Sequence, residues 1–269
     1  MSTVNRKPIM TENVNLYYTK GVYDFFCQNI AKLFVIVLSI LKLVSDPFTP
    51  GLDSMQYFRL VSSLWIVNHN ANKLQGISSI SSSVHDNIFC KCRQCLENCI
   101  CKFCYAFNQQ SYQTGLKEHN ILNGIILRNI LIPIEMFKAL PILFPYLRIE
   151  SFGDVANIIQ ARNYIRIIKA FPEKRCAVWS KNIAIWDKAF AIEGKPDNCT
   201  YVHSSSELNK PDNIDREKYS FVDHVFTVYT KAYIKAHNIV INCGGKKCMA
   251  CILEKKNCYF RNTEFFINE

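Results

Sequence analysis

The sequence predicts an α/β protein built on a partial or complete parallel (β/α) barrel, with a cysteine-rich metal-binding loop and a C-terminal cysteine-rich tail. Three observations predict it. Short apolar strands alternate with helical patterns from about residue 78 to residue 242, the order expected of parallel strands joined by crossover helices. Strand after strand ends in polar residues, as at the ligand-binding face of barrels and open α/β sheets. Ten of the thirteen cysteines fall into two tight clusters, at 90–104 and 243–258, which suits metal ligands better than a spread disulfide framework.

Taken in order, residues 1–67 read as an N-terminal helical extension and 68–269 as the core domain. The apolar run 33–41 lies between Lys32 and Lys42 and falls short of the ~20 residues a membrane span needs. It reads as a buried or interface helix, with contact at a membrane surface by snorkelling lysines as a second reading. A turn-rich break at 46–51 precedes an amphipathic stretch at 55–67. The polar stretch 68–74 and the serine-rich 78–83 read as a loop or irregular strand leading into the first cysteines. Apolar residues at helical spacing follow over 111–128, then a stretch at 130–143 interrupted by Pro133 and Pro141. Residues 147–152 read as a strand ending at Gly153-Asp154, 158–171 as an amphipathic helix closed by Pro172, 176–180 as a strand, 183–192 as a helix, and 200–203, 224–229 and 239–242 as strands. The polar ends are 151–154, 180–182, 204–207, 230–231 and 242–243. No Gly-x-Gly-x-x-Gly follows any strand, so a dinucleotide-binding Rossmann unit is not expected.

The charge balance is 32 basic against 22 acidic residues, a net +10, which favours phosphate-rich partners or simply solvates a basic surface. Residues 1–20 lack the apolar core of a secretory signal, and clustered thiols suit a reducing cytosol.

The first cluster is Cys90, Cys92, Cys95, Cys99, Cys101 and Cys104; the second is Cys243, Cys248, Cys251 and Cys258. Each contains a Cys-x-x-Cys knuckle, Cys101/Cys104 and Cys248/Cys251, whose spacing lets two thiolates of one turn face the same ion. Two metal arrangements are open. One zinc ion held by both knuckles would clamp the ends of the core domain together, or each cluster would hold its own metal, with the second as an auxiliary site. Cys27, Cys176 and Cys199 read as buried small apolar residues. Lys246, Lys247, Lys255 and Lys256 around the second knuckle would serve as phosphate contacts in a nucleic-acid-binding module. The histidines form no His-x3-His pair. His203 lies beside the serines 204–206, but without a Gly-x-Ser-x-Gly elbow that run reads as a polar loop or phosphate contact. Trp179 and Trp186 read as packing residues.

The stretch from Asn72-Lys73-Leu74 through Cys104-Tyr105-Ala106, with Arg148-Ile149-Glu150-Ser151-Phe152-Gly153-Asp154, Trp179-Ser180-Lys181-Asn182 and Asn242-Cys243-Gly244 to Cys251, is similar to a cysteine-rich family of phages and gut bacteria, the gene product 88-like proteins. More distantly it resembles radical S-adenosylmethionine (SAM) enzymes with a partial (β/α) barrel. The resemblance covers residues 72–269. It implies an iron–sulfur cluster held by a Cys-x3-Cys-x2-Cys pattern, in which Cys101 and Cys104 take the last two places with Phe103 before the final cysteine. The first place is Glu97, so a third ligand would come from Cys90, Cys95 or Cys99. It implies further that Gly153 and Asp154 seat the amino end of SAM, that Lys181 and Lys231 line the substrate mouth, and that SAM is cleaved reductively to a radical that takes hydrogen from a small or macromolecular substrate. On the residues alone, Asp154 reads instead as a cap of the following helix. The expected function is therefore metal binding, by an iron–sulfur cluster or zinc, in a radical SAM-like protein without a membrane span. The alternative is a zinc-stapled basic module contacting nucleic acid.

Overall fold

In a computed structural model the chain divides into two compact units, Met1–Thr49 and Pro50–Glu269. The structure describes residues 52–85, 87, 100, 104–243, 247–254 and 263–267, the last as backbone only. The apolar run 33–41, Cys27, Glu97, Cys258 and the first cluster up to Cys101 lie outside the described residues.

Helix α1 (Ser54–Ser62) starts in a reciprocal cap: Asp53 Oδ1 accepts from Gln56 N at 2.8 Å while Gln56 Oε1 accepts from Asp53 N at 2.9 Å. Leu60 and Val61 within it and Leu64 and Ile66 after it are buried. Asn123 clamps this segment to the sheet, with its side chain bonded to Trp65 N (2.8 Å), Trp65 O (3.0 Å) and Ser81 O (3.0 Å). Residues 54–66, expected in the extension, thus pack within the second unit.

One sheet carries that unit, formed by β1 (Val67–Asn68), β2 (Ile77–Ile80), β3 (Tyr146–Ile149), β4 (Arg175–Ser180), β5 (Cys199–Ser204), β6 (His224–Thr230) and β7 (Thr263–Ile267), in that spatial order. β1 pairs antiparallel with β2, and the six strands β2 to β7 are parallel throughout. The expected mixed α/β architecture with a mostly parallel sheet is therefore present. The sheet is open, with β1 and β7 as its edges, so a closed barrel is not formed.

The strands read as near-continuous apolar runs because both faces are covered. On one face Tyr201 of β5 meets Trp186, Phe190 and Phe221, and Trp186 stacks on Tyr164 at 6.4 Å, so α5 (Ile158–Ala170) and α6 (Ile183–Glu193) form a layer there. Glu193 of α6 accepts from Arg162 Nε (2.8 Å) and Arg166 Nε (3.0 Å) of α5. On the other face Ile77, Ala177, Trp179 and Val202 pack with Ile252 of the short helix α8 (Cys248–Leu253). Between β2 and β3 the chain makes α2 (Tyr105–Tyr112), α3 (Thr114–Asn129) and α4 (Ile134–Phe137); α7 (Lys231–His237) follows β6. No helix among the described residues is long and apolar enough to cross a membrane.

The helix expected over 158–171 is α5, ending at Phe171 before Pro172. Its N-cap is Asn157, whose Oδ1 accepts from Gln160 N at 2.9 Å while its Nδ2 donates to Arg128 O at 2.9 Å. Asn157→Ala is expected to lower stability by about 1 kcal/mol, read from the urea midpoint, because it removes the cap and the tie to α3; an unchanged midpoint would refute that role.

The strand expected at 239–242 is not formed; the segment is irregular, with Val240 81 % exposed, and the strand beside β6 is Thr263–Ile267. Distance explains the correction. A parallel crossover needs about a dozen residues or more, whereas only 231–238 separate β6 from residue 239. At ~1.5 Å per residue, α7 carries the chain back only about 10 Å, less than half of β6 at ~3.3 Å per residue.

Candidate functional site at the carboxyl edge of the sheet

Six parallel strands bring their carboxyl ends to one edge, and polar side chains gather there for that reason. Four of the five polar ends expected from the sequence, at β3, β4, β5 and β6, lie on it. The fifth, 242–243, does not, since no strand precedes it. Its place is taken by Ser81, Ser82 and Ser83 after β2, all buried.

The segment after β3 turns inward. Glu150 adopts a left-handed backbone, φ 58°, and its buried carboxylate collects four donors. Oε2 accepts from Ser82 N (3.0 Å), and Oε1 accepts from Ser82 Oγ (2.6 Å), Tyr164 OH (2.6 Å) and Gln160 Nε2 (3.0 Å). Burial pushes its pKa up to about 7; the Ser82 and Tyr164 hydrogen bonds oppose that rise and the nearby Asp154 charge adds to it. Gly153 makes the close approach to β2 feasible, because a Cβ there would lie 2.5 Å from both Glu150 Oε2 and Ser82 O.

Asp154, read from the residues alone as a cap of the next helix, does not cap it with its carboxylate, since Asn157 is the N-cap. Asp154 ties the end of β3 to the end of β4: Oδ1 accepts from Ser180 Oγ and from Val155 N (2.8 Å), and Oδ2 accepts from Lys181 N (2.9 Å). Its pKa is raised by burial, against the opposing Lys181 charge and these hydrogen bonds. Its carbonyl accepts from Asn87 Nδ2 at 2.6 Å. Lys181 follows β4 and Lys231 opens α7 after β6, so both expected mouth lysines lie at this edge.

Two described residues on either side of the Cys101/Cys104 knuckle are tied to the same edge. Ile100 N donates to Ser206 O beyond β5 at 3.2 Å, and Tyr105 OH donates to Ser151 O beyond β3 at 2.6 Å. Helix α2 is held down by Gln110, whose Oε1 accepts from Ser83 Oγ at 2.9 Å. Cys104, a half-buried free thiol, therefore lies at the carboxyl edge between Ile100 and Tyr105 in sequence. No family model, no curated protein and no solved structure matches the chain.

Beside Ser206, in the run expected to be a polar loop or phosphate contact, is a His–Asp dyad. Buried His203 Nε2 lies 2.7 Å from Asp212 Oδ2, which also accepts from Ser206 N (3.2 Å) and Ser206 Oγ (3.1 Å). Burial would raise the pKa of Asp212, but the bond to His203, its charge and the Ser206 donors outweigh that and hold it low. Ser205 Oγ is 3.1 Å from Thr227 Oγ1 and accepts from Asp212 N at 3.1 Å, so Ser205 and Ser206 both tie the loop to Asp212.

The described cysteines of the second cluster, Cys243, Cys248 and Cys251, sit elsewhere. Cys248 N donates to Lys73 O at 2.8 Å, and Lys73 Nζ is 3.6 Å from Cys243 Sγ. Lys73 precedes β2, so these cysteines are anchored to the amino edge, opposite Cys104. Burial raises the Cys248 pKa; the Arg148 and Lys73 charges oppose it, while Cys243 and Cys251 add to it. Among the described residues no three His, Cys, Asp or Glu side chains are converged to hold an ion. Cys176 and Cys199 are buried as expected, with burial pushing the Cys199 pKa up to about 12. Of the expected phosphate-contact lysines only Lys247 is described, and its Nζ donates to Gln75 Oε1 at 2.6 Å. Trp186 and Trp179 are packing residues as expected, Trp179 beneath the Arg148 guanidinium at 4.0 Å.

Proposed function

We propose that this is a metal-binding protein of the radical SAM-like type, with an iron–sulfur cluster in the cysteine loop over the carboxyl edge of a partial (β/α) barrel. The observation that carries this reading is the pair of ties flanking the Cys101/Cys104 knuckle, Ile100 to Ser206 and Tyr105 to Ser151, at the edge where α/β proteins hold their ligands. The strand order supports the barrel: β2 to β7 follow one another without the reversal that marks a doubly wound sheet. The donor set suits the group, since soft thiolates from one loop are what iron–sulfur clusters take. Such a cluster supplies one-electron chemistry when bound. Cys101 and Cys104 would be two of its ligands, with a third from Cys90, Cys95 or Cys99. Gly153 and Asp154 serve SAM indirectly: the glycine allows the 150–154 turn to close on Ser82, and Asp154 fixes that turn to β4. Lys181 and Lys231 supply positive charge at the mouth for an anionic part of cofactor or substrate.

Purified without oxygen and reconstituted with iron and sulfide, the protein is expected to absorb broadly near ~400 nm and to bleach on reduction, as thiolate-bound ferric iron does. Cys104→Ala should abolish the absorption, and the reduced wild type should convert SAM to 5′-deoxyadenosine. A protein that stays colourless after reconstitution overturns the reading. A coloured protein without SAM turnover leaves the cluster and removes the SAM chemistry.

A further inference from the structure

We infer that Cys243, Cys248 and Cys251 form a separate thiolate site for a tetrahedral ion of the zinc class at the amino edge of the sheet, pinning α8 to the turn before β2. This inference does not depend on the cluster proposed for the carboxyl edge. Cys248 and Cys251 are three apart on α8 and so project from one side of it. The helix is seated by Cys248 N on Lys73 O, by Lys247 Nζ on Gln75 Oε1, and by Met249 against Gly76, where an added Cβ would lie 2.9 Å from Met249 Cγ. Gly76 adopts φ +84°, which a side chain would strain, so the turn accepts Met249 because residue 76 is glycine. Cys243 approaches the same lysine from upstream, its Sγ 3.6 Å from Lys73 Nζ. All three are half-buried free thiols.

Charge and stability both favour an ion here. Three thiolates on a divalent cation leave one net negative charge, and Lys73, whose Nζ is 3.6 Å from Cys243 Sγ, is placed to offset it. A six-residue helix with one buried side chain, Ile252, does not hold itself together in water. It lies in the long connection between β6 and β7, where a metal staple contributes folding energy directly. Binding requires Cys243 Sγ to leave Lys73 Nζ and join Cys248 and Cys251, with a fourth donor completing the shell.

The test uses the full chain, produced with zinc and analysed for metal. About one zinc per chain is expected; Cys248→Ser and Cys251→Ser should lose it and Cys104→Ser should keep it. In the wild type, alkylation mapped by mass spectrometry should show Cys243, Cys248 and Cys251 becoming reactive together on chelation, with Cys104 unchanged, which covers the case in which a serine variant does not fold. Cobalt in place of zinc should give an intense thiolate charge-transfer band that is lost in Cys251→Ser. Zinc lost equally from Cys104→Ser, or alkylation of Cys248 and Cys251 indifferent to chelator, overturns the inference. Iron content and colour follow Cys104 and zinc follows Cys251, so failure of either site is read separately from the other.

Discussion

Gly153→Ala is expected to destabilise the protein by about 3 kcal/mol, a cost at the upper end for overpacking a well-packed site. The φ of Gly153 lies outside the left-handed region, so alanine is opposed by space alone. The added carbon would lie 2.5 Å from Ser82 O, a backbone atom at the end of β2 that no rotamer change can move, and 2.5 Å from Glu150 Oε2. The turn would have to retreat, pulling Glu150 away from Ser82 and leaving buried donors unpaired. Gly115→Ala is the contrast: nothing lies within 4 Å of its position, it is within α3, and alanine there should stabilise by about 0.5 kcal/mol. Urea denaturation of both variants decides the matter; a Gly153→Ala midpoint equal to wild type would show that the 150–154 turn does not depend on its approach to Ser82.

The second large effect is a fall in stability as pH rises from about 4.5 to about 7. The pKa of Glu150 moves from 4.5 to about 7 on folding, so within that window the folded protein keeps a proton that the unfolded chain has released. Stability from this proton is complete below 4.5 and lost as pH climbs through 7, and a shift of this size corresponds to roughly 3 kcal/mol. Asp154, also raised by burial, acts in the same direction. Glu150→Gln should flatten most of the slope and leave the smaller part due to Asp154. Glu150→Ala should be worse at every pH, because Ser82, Gln160 and Tyr164 would all lose their acceptor. A slope unchanged in Glu150→Gln would place the titration on other groups.

The alternation of strands and helices after residue 140 was legible in the sequence because those elements are local: the apolar run 176–180 and the amphipathic stretch closed by Pro172 each carry their signal within a few residues. The same locality made 239–242 misleading, since its strand propensity is real and only the length of the crossover forbids it. Two tight cysteine groups were equally visible. That their described members lie at opposite edges of the sheet follows only from Lys73 preceding β2 and Ser151 following β3, a consequence of strand direction that spacing cannot express. The buried carboxylates were the least visible. Glu150 finds Ser82 sixty-eight positions away in the chain, and Asp212 becomes the partner of His203 across the loop after β5. Local sequence determined the secondary elements and the stock of thiols, because propensity, capping and spacing act over a few residues. Tertiary structure decided which polar groups are buried together, because the penalty for burying a charge is met only by donors that the folded sheet brings within hydrogen-bond reach.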